Sequence, residues 1–126
     1  MASKITEVKI TAITDASGDA TNYSNYAIRG NIKAIYCDFS ATAAATTDTI
    51  ISDEYGQTIL SLTDTNTDGW YYPRTNSQTY AGANMLFAAA GQPVPTEFTL
   101  FSRIKVVVAQ GGATKTNIFR ILVEEY

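Results

Sequence analysis

The sequence predicts an all-β fold, an antiparallel β-sandwich or small barrel of about eight strands in a single domain. Three observations support this prediction. Thr, Ile and Val number 18, 12 and 6 of the 126 residues, whereas Leu numbers only 5, and β-branched side chains fit a pleated sheet better than a helix. Apolar alternation recurs about every ten residues between turn signals. A chain of this length buries one core but is too short for two.

The first third of the chain contains three strand-like segments, residues 5–14, 21–28 and 30–39. In the first segment, Val8, Ile10 and Ala12 alternate with polar residues, so we expect them to face the core. Residues 15–19 follow as a turn, because Gly and Asp tolerate a left-handed backbone. The second segment is polar and alternates weakly, which indicates an edge strand.

The third segment is apolar on both of its faces, which is typical of a central strand of a sandwich. Strict alternation along this strand divides its side chains between two faces, with Ile32, Ala34 and Tyr36 on one and Lys33, Ile35 and Cys37 on the other.

The middle of the chain contains the clearest hairpin. Residues 47–52 and 57–63 are predicted strands, and the connection from Asp53 to Gly56 has the length of a type I turn that ends in a left-handed Gly. Residues 70–72 are predicted to form a short aromatic strand. This strand ends at Pro73, because proline removes one donor from the strand ladder.

The segment from Arg74 to Pro95 is the least regular part of the chain. A loop of that length in a compact domain is usually functional or an interaction arm, and a short helix near residues 84–90 is an open alternative. Three further strands are predicted to complete the domain, at residues 97–101, 103–109 and 116–124. Residues 110–112 are expected to form the hairpin turn between the last two.

The composition excludes most catalytic and metal-binding chemistry. The chain has no histidine, so imidazole cannot act as a general base or a metal ligand. The single cysteine, Cys37, excludes an intramolecular disulfide and a paired-thiol zinc site. We therefore expect no enzymatic activity and no cofactor.

The charge balance and the targeting signals limit the kinds of partner that we expect this protein to bind. Nine scattered Lys and Arg against twelve Asp and Glu do not form the cationic surface that nucleic acid or anionic lipid requires. The first residues lack the apolar region of a signal peptide, and no apolar stretch approaches the length of a membrane span. Synthesis in a cytosol with Cys37 reduced is the expected origin.

One acidic loop resembles half of a calcium site. Residues 64–69 match the start of the EF-hand loop, in which Asp64, Asn66 and Asp68 would supply oxygen ligands. The twelfth position of that loop is Thr75 instead of the bidentate Glu. An Asx-rich turn explains the same residues through local backbone bonds, and it is the preferred interpretation.

Carboxylates are the remaining catalytic candidates. Asp48, Asp53, Glu54, Asp64 and Asp68 lie in the central part of the chain, and two of them could form the acid–base pair of a glycosidase. Each is in or next to a predicted turn, where acidic side chains are normally solvated. A hydrolase is therefore a minor alternative.

An aromatic cluster is the most informative feature for binding. The residue types enriched at binding hot spots are concentrated here, and the protein-interface candidates are Trp70, Tyr71, Tyr72, Arg74, Tyr80, Met85 and Phe87. Three interpretations are open. The aromatics could stack on sugar rings, they could be plain core residues, or alternate members could pack inside while the others and Arg74 dock on another protein chain.

Several motifs together resemble small virion proteins of tailed bacteriophages. The motifs are Gly30 to Ile35, Thr47 to Ile50, Asp53 to Leu60, Trp70 to Arg74 and Arg103 to Gly112. In that family, a β-domain ends in an apolar strand, a Gly-Gly turn and a final strand. The resemblance covers about residues 29–124.

The resemblance implies a non-enzymatic decoration or cement protein of the phage head. Such a protein would bind neighbouring subunits of the major capsid protein on the virion surface after assembly in the host cytoplasm. It would also bind itself as a homo-oligomer, a dimer or a trimer. The alternatives are another β-protein of the head or the head–tail junction, and a carbohydrate-binding or host-attachment module.

Overall fold

The computed structural model describes residues 3–88 and 91–125, and this part of the chain is all-β with antiparallel sheets, as predicted. The described residues contain no helix, and therefore none that could span a membrane. They contain eleven strands, β1 (Lys4–Ile13), β2 (Ala20–Tyr23), β3 (Ile28–Asp38), β4 (Asp48–Asp53), β5 (Thr58–Leu62), β6 (Gly69–Tyr71), β7 (Thr75–Asn76), β8 (Pro95–Thr96), β9 (Thr99–Ser102), β10 (Ile104–Ala109) and β11 (Thr116–Glu125).

Two sheets enclose one apolar core. The first sheet has the order β1-β11-β3-β6, and β9 also pairs with β3. The second sheet has the order β2-β10-β4-β5. The two ends of the chain meet in the first sheet, because β1 pairs with β11 from Lys4 opposite Glu125 to Ile13 opposite Thr116.

The core follows the predicted alternation in most strands. Val8, Ile10 and Ala12 of β1 are buried, as expected. The last strand alternates in the same way, and its core side is formed by Phe119, Ile121 and Val123. The second sheet contributes the inward side chains of β10 and β4, which are Ile104, Val106, Val108 and Ile51.

The long central strand β3 departs from strict alternation at Lys33. Ala34 lies opposite Leu122, but Ile32 lies opposite Val123, so one extra residue bulges out of β3 between these two pairs. The expected grouping of Ile32 with Ala34 and Tyr36 is therefore wrong. Ile32 faces the core before the bulge, and Ile35 and Cys37 face it afterwards.

The bulge determines where the irregular segment leaves the body. β11 pairs with one edge of β3, and two short strands share the opposite edge. β9 pairs with Ile28 to Asn31, and β6 pairs with Ile35 to Cys37. The chain between β6 and β9 leaves the sheet in the gap between these two pairings, beside Lys33.

Two local predictions are wrong, and a third is confirmed. The turn at residues 110–112 does not close a hairpin, because it leads from β10 in the second sheet to β11 in the first. The proposed helix at residues 84–90 is wrong over its described part, since Asn84 and Leu86 form β-bridges. Ala89 and Ala90 lie outside the described residues. The predicted hairpin of β4 and β5 is confirmed, with Gly56 at a φ of 88°.

Candidate interaction surfaces

An exposed aromatic row crosses the outer face of the first sheet. In neighbouring strands, Arg120, Tyr36 and Trp70 lie side by side on this face. The Tyr36 and Trp70 rings pack with their centroids 5.1 Å apart and their planes tilted by 54°. Trp70 nevertheless remains 52% exposed. We call these three residues the aromatic row.

Strand β6 and the residue after it place the predicted interface residues on two different faces of the sheet. Tyr71 points inward and packs, partly buried, against the core, so it offers less surface to a partner than its neighbours do. Trp70 and Tyr72 point outward and are exposed. This arrangement matches the interpretation in which alternate aromatics pack inside while their neighbours face a partner, because successive side chains of a strand lie on opposite faces.

Residues 75–96, called the arm below, form a small forked β-structure outside both sheets. At its base, β7 pairs with β8. Beyond the base, Met85 bonds to both sides, donating its N–H to the Ser77 carbonyl and accepting from the Val94 N–H. Two branches extend from this junction. In one, the Thr79 N–H donates to the Ala83 carbonyl, and in the other, the Phe87 N–H donates to the Gln92 carbonyl.

The arm presents its large side chains to solvent. None of its described residues is buried, and Tyr80 is exposed to 106% of its reference area. Three of the four large apolar side chains exposed on the arm, Tyr80, Met85 and Phe87, were predicted as interface residues, and all three lie outside the core. Leu86, the fourth, is also exposed and was not singled out in the sequence.

The base of the arm is anchored on both sides. Pro73, just before the arm, and Phe98, just after it, are buried. The Ile32 N–H donates to the Phe98 carbonyl over 3.0 Å, so the returning chain is bonded to β3. The arm therefore has a fixed attachment, whereas no described residue of its forked end belongs to the core cluster.

An ion-pair cluster surrounds the same attachment. The Lys33 Nζ lies 3.0 Å from the Glu97 Oε2 and 3.3 Å from the Glu124 Oε1. Arg74 lies 3.8 Å from the Glu97 Oε2 and donates to the Lys33 carbonyl. Arg74, predicted as an interface residue, thus holds the base of the arm. These side chains are partly exposed, so the cluster orients the arm more than it stabilises the fold.

The cluster shifts two ionisations. Hydrogen bonds to Glu97 and Glu124 raise the pKa of Lys33, and hydrogen bonds from Ser3 and Lys33 lower the pKa of Glu124. The stabilisation of the fold by the ionised Glu124 is present above the ordinary carboxyl pKa and is lost as the pH falls through the lowered pKa of Glu124. The stabilisation by the charged Lys33 is present below the ordinary amine pKa and is lost as the pH rises through the raised pKa of Lys33.

A second aromatic pair lies at one end of the sandwich and was missed in the sequence. Tyr55, in the β4–β5 turn, and Phe101, in β9, pack at 5.5 Å between ring centroids, and both are exposed. Tyr55 occurs in a predicted turn, where an aromatic side chain has no core to enter. The turn position of Tyr55 was the only sign in the sequence that its side chain is exposed. It does not reveal the pairing with Phe101, which is distant in sequence.

The acidic loop at residues 64–68 is held by hydrogen bonds to other segments of the chain. The Asp68 Oδ1 accepts from the Phe39 N–H at 2.8 Å, and the Asn66 Nδ2 donates to the Ala43 carbonyl at 2.9 Å. The Asp64 N–H donates to Asp48. No three acidic or cysteine side chains in the described ranges are grouped to hold a metal ion. The Asp68 and Asn66 side chains therefore bind backbone groups of residues 39 and 43 and not the local amides of an Asx turn.

The carboxylates considered for hydrolysis also have structural partners. Asp53 is buried in the β4–β5 turn, where its Oδ1 accepts from the Tyr55 and Gln57 N–H groups at 2.9 Å each. The Glu54 Oε1 accepts from the Arg103 N–H. The Asp53 bonds close the turn itself, and the Glu54 bond ties it to Arg103 between β9 and β10.

Comparison with known proteins identifies no relative of this chain. No protein-family model, curated protein or solved structure matches the chain.

Proposed function

We propose that this protein is a non-enzymatic structural protein of a bacteriophage head, which decorates the capsid by binding neighbouring major capsid subunits. The motifs that resemble tailed-phage virion proteins support this proposal at the level of sequence. The observation that carries it is the exposed aromatic row on the open outer face of the first sheet.

The row has the chemistry of a protein-binding hot spot. Trp, Tyr and Arg are the residue types whose truncation costs most at protein interfaces. Here Trp70, Tyr36 and Arg120 occupy adjacent strands, so strand pairing holds them in place before a partner arrives. Preorganised side chains lose little conformational entropy on binding. The Arg120 guanidinium is further oriented by the Glu7 carboxylate at 2.9 Å.

Binding of this kind is sufficient for the function. A protein that binds the assembled shell but not its dissociated subunits stabilises the shell by mass action. The effect is repeated at every site of the capsid lattice, so each individual contact needs only a standard interface of about 800 Å² per partner.

The test uses capsids stripped of this protein and measures re-binding of the purified chain. We expect Trp70→Ala to weaken capsid binding by about tenfold or more, as at other hot spots. Tyr26→Ala is the matched control, because Tyr26 is 50% exposed but lies away from the row. It should bind like the unchanged protein. Equal binding by both variants would refute the role of the row.

The same samples distinguish the alternatives. A glycan-binding module would bind an oligosaccharide array and lose that binding in Trp70→Ala. The 54° tilt between the Trp70 and Tyr36 planes prevents both rings from lying flat on one sugar ring, which favours a protein partner. A head–tail junction protein would appear at a single capsid vertex by electron microscopy, whereas a decoration protein covers the lattice.

A further inference from the structure

A small cavity opens on the second sheet beside the β4–β5 turn. It has a volume of about 200 Å³ and is lined by Tyr23, Ser52, Asp53, Glu54, Gly56 and Lys105. Drug-sized ligands occupy pockets of about 300–1,000 Å³, so this cavity fits a smaller chemical group. We call it the Lys105 cavity.

Strand pairing assembles one wall of the cavity. Lys105 of β10 lies opposite Tyr23 of β2 on one side and opposite Ser52 of β4 on the other. The neighbours of Lys105 in its strand, Ile104 and Val106, are buried in the core. Lys105 and its two cross-strand partners therefore project from the outer face, and the ladder fixes their spacing.

Lys105 is a partly buried cation that the protein leaves unpaired. Among the other partly buried cations of the described residues, Lys33 and Arg120 have carboxylate partners, and Lys115 donates to the Thr42 hydroxyl. Lys105 forms neither an ion pair nor a hydrogen bond within the described part of the chain. A partly desolvated ammonium gains from an anionic partner, because burial penalises a charge that has none.

The other unused groups of the wall are hydroxyls. The Ser52 and Tyr23 hydroxyls form no hydrogen bond among the described residues, and both can donate. The acceptors at the rim are largely in use. Both oxygens of the Asp53 carboxylate accept from the turn, and the Glu54 Oε1 accepts from the Arg103 N–H at 2.8 Å. A ligand of this cavity must therefore bring acceptor oxygens.

The charges around the cavity favour an anion with a single charge. The Arg103 guanidinium lies 4.8 Å from the centre of the Tyr23 ring, so a second cation borders the wall. The Glu54 carboxylate at the rim opposes further negative charge on a ligand. A carboxylate has two acceptor oxygens and one charge, whereas a phosphate group carries about 1.5 to 2 charges at pH 7.

We propose that the Lys105 cavity binds a carboxylate group, whose oxygens accept from the Lys105 ammonium and from the Ser52 and Tyr23 hydroxyls. A small organic acid and an acidic side chain of a protein both present this group. The site is independent of the proposed capsid binding, which uses the aromatic row on the other sheet.

The test titrates the full-length protein at constant ionic strength and follows the backbone amides of residues 52, 56 and 105 by NMR. Acetate is the probe for a free acid, and glutamate blocked at both backbone ends is the probe for a protein side chain. We expect saturable shifts with half-saturation at about 10 mM, and a weaker response to inorganic phosphate. Binding of acetate alone would assign a small acid as the ligand, and binding of both probes would assign a side chain.

Three variants test the residues of the cavity. Lys105→Met keeps the length of the side chain but removes its charge, and it should weaken acetate binding by about tenfold or more. Glu54→Gln keeps an acceptor for the Arg103 N–H but removes the opposing charge, so it should strengthen binding by about threefold. Lys9→Met, at an exposed lysine of the first sheet, is the matched control and should bind acetate like the unchanged protein.

The amide spectrum of each variant verifies that it is folded. Shifts that rise without saturation, or equal effects of Lys105→Met and Lys9→Met, would indicate general screening of surface charge and overturn the proposal. Tighter binding of phosphate than of acetate would overturn the choice of a carboxylate. Trp70→Ala should bind acetate normally, so a failure of this proposal is distinguishable from a failure of capsid binding.

Discussion

At the scale of single residues, the acidic side chains of the turns bind backbone amides. Asp15 accepts from the N–H groups of Ser17 and Asp19, and Asp53 accepts from two amides and the Gln57 side chain. The composition draws attention to these carboxylates as candidates for catalysis. Their geometry is instead that of turn-forming residues, which satisfy donors that the strands leave unpaired.

Asp53 is the carboxylate whose loss should cost most. In Asp53→Ala, the Tyr55 and Gln57 amides and the Gln57 Nε2 lose the partly buried carboxylate that accepts from them, and we expect the free energy of unfolding to fall by about 2 kcal/mol. Urea denaturation measures the change. Asp38→Ala is the control, because the Asp38 carboxylate makes no hydrogen bond within the described residues. An equal loss in both variants would contradict this account of Asp53.

Cys37 should behave as an inert core residue. Burial, with a smaller effect from Asp68, raises the pKa of its thiol from 9.0 to about 12. Alkylating reagents attack the thiolate, so at pH 8 the native thiol should react with iodoacetamide about a thousandfold more slowly than the same thiol in urea. Mass spectrometry follows the reaction. Comparable rates in the two states would show that the thiol is accessible.

At the scale of elements, β3 organises the first sheet. It pairs with β11 along one edge and with β9 and β6 along the other, and its bulge at Lys33 lies where the arm departs. A bulge bends a strand and redirects its side chains. It turns the Lys33 side chain toward Glu97 and Glu124, so a single inserted residue couples the central strand to the base of the arm.

The pairing of β3 with β11 requires glycine at position 30. A Cβ added to Gly30 would lie 2.0 Å from the Glu124 carbonyl oxygen, so Gly30→Ala must separate the two strands. We expect a loss of about 3 kcal/mol in the free energy of unfolding. Gly69→Ala is the control, since its added Cβ would meet nothing nearer than 3.9 Å. Similar stability of both variants in urea would contradict the close approach.

At the scale of the whole molecule, the protein consists of a closed body and a projecting arm. The core cluster draws on both sheets and includes no arm residue. The two parts therefore differ in what maintains them: the body by burial of its own apolar side chains, the arm by its anchored base and by whatever covers it.

This separation predicts that the arm can be removed without unfolding the body. Ser77 and Val94 are joined by a backbone hydrogen bond of 2.8 Å, so an Asn-Gly turn replacing residues 78–93 can connect them as a hairpin. We expect the free energy of unfolding to change by no more than about 0.5 kcal/mol. Thermal and urea denaturation check this, and a chain that no longer folds would show that the arm supports the core.

Local pattern determined much of this protein. The positions of most strands in the two large sheets, the β4–β5 hairpin, the core side of β1 and the extent of the arm follow from alternation and turn residues alone, because a strand exposes its two faces with a period of two residues. The candidate surface was predicted in part, with Trp70, Tyr72, Tyr80, Met85 and Phe87 outside the core.

The tertiary structure decided the rest. The inward turn of Tyr71, the bulge at Lys33, the transfer between sheets at residues 110–112 and the meeting of Tyr55 with Phe101 each depend on which strands become neighbours. The pairing of β1 with β11 joins the two ends of the chain, and no local pattern specifies it. Long-range pairing is selected by the burial of the whole core, so it is known only once the fold is complete.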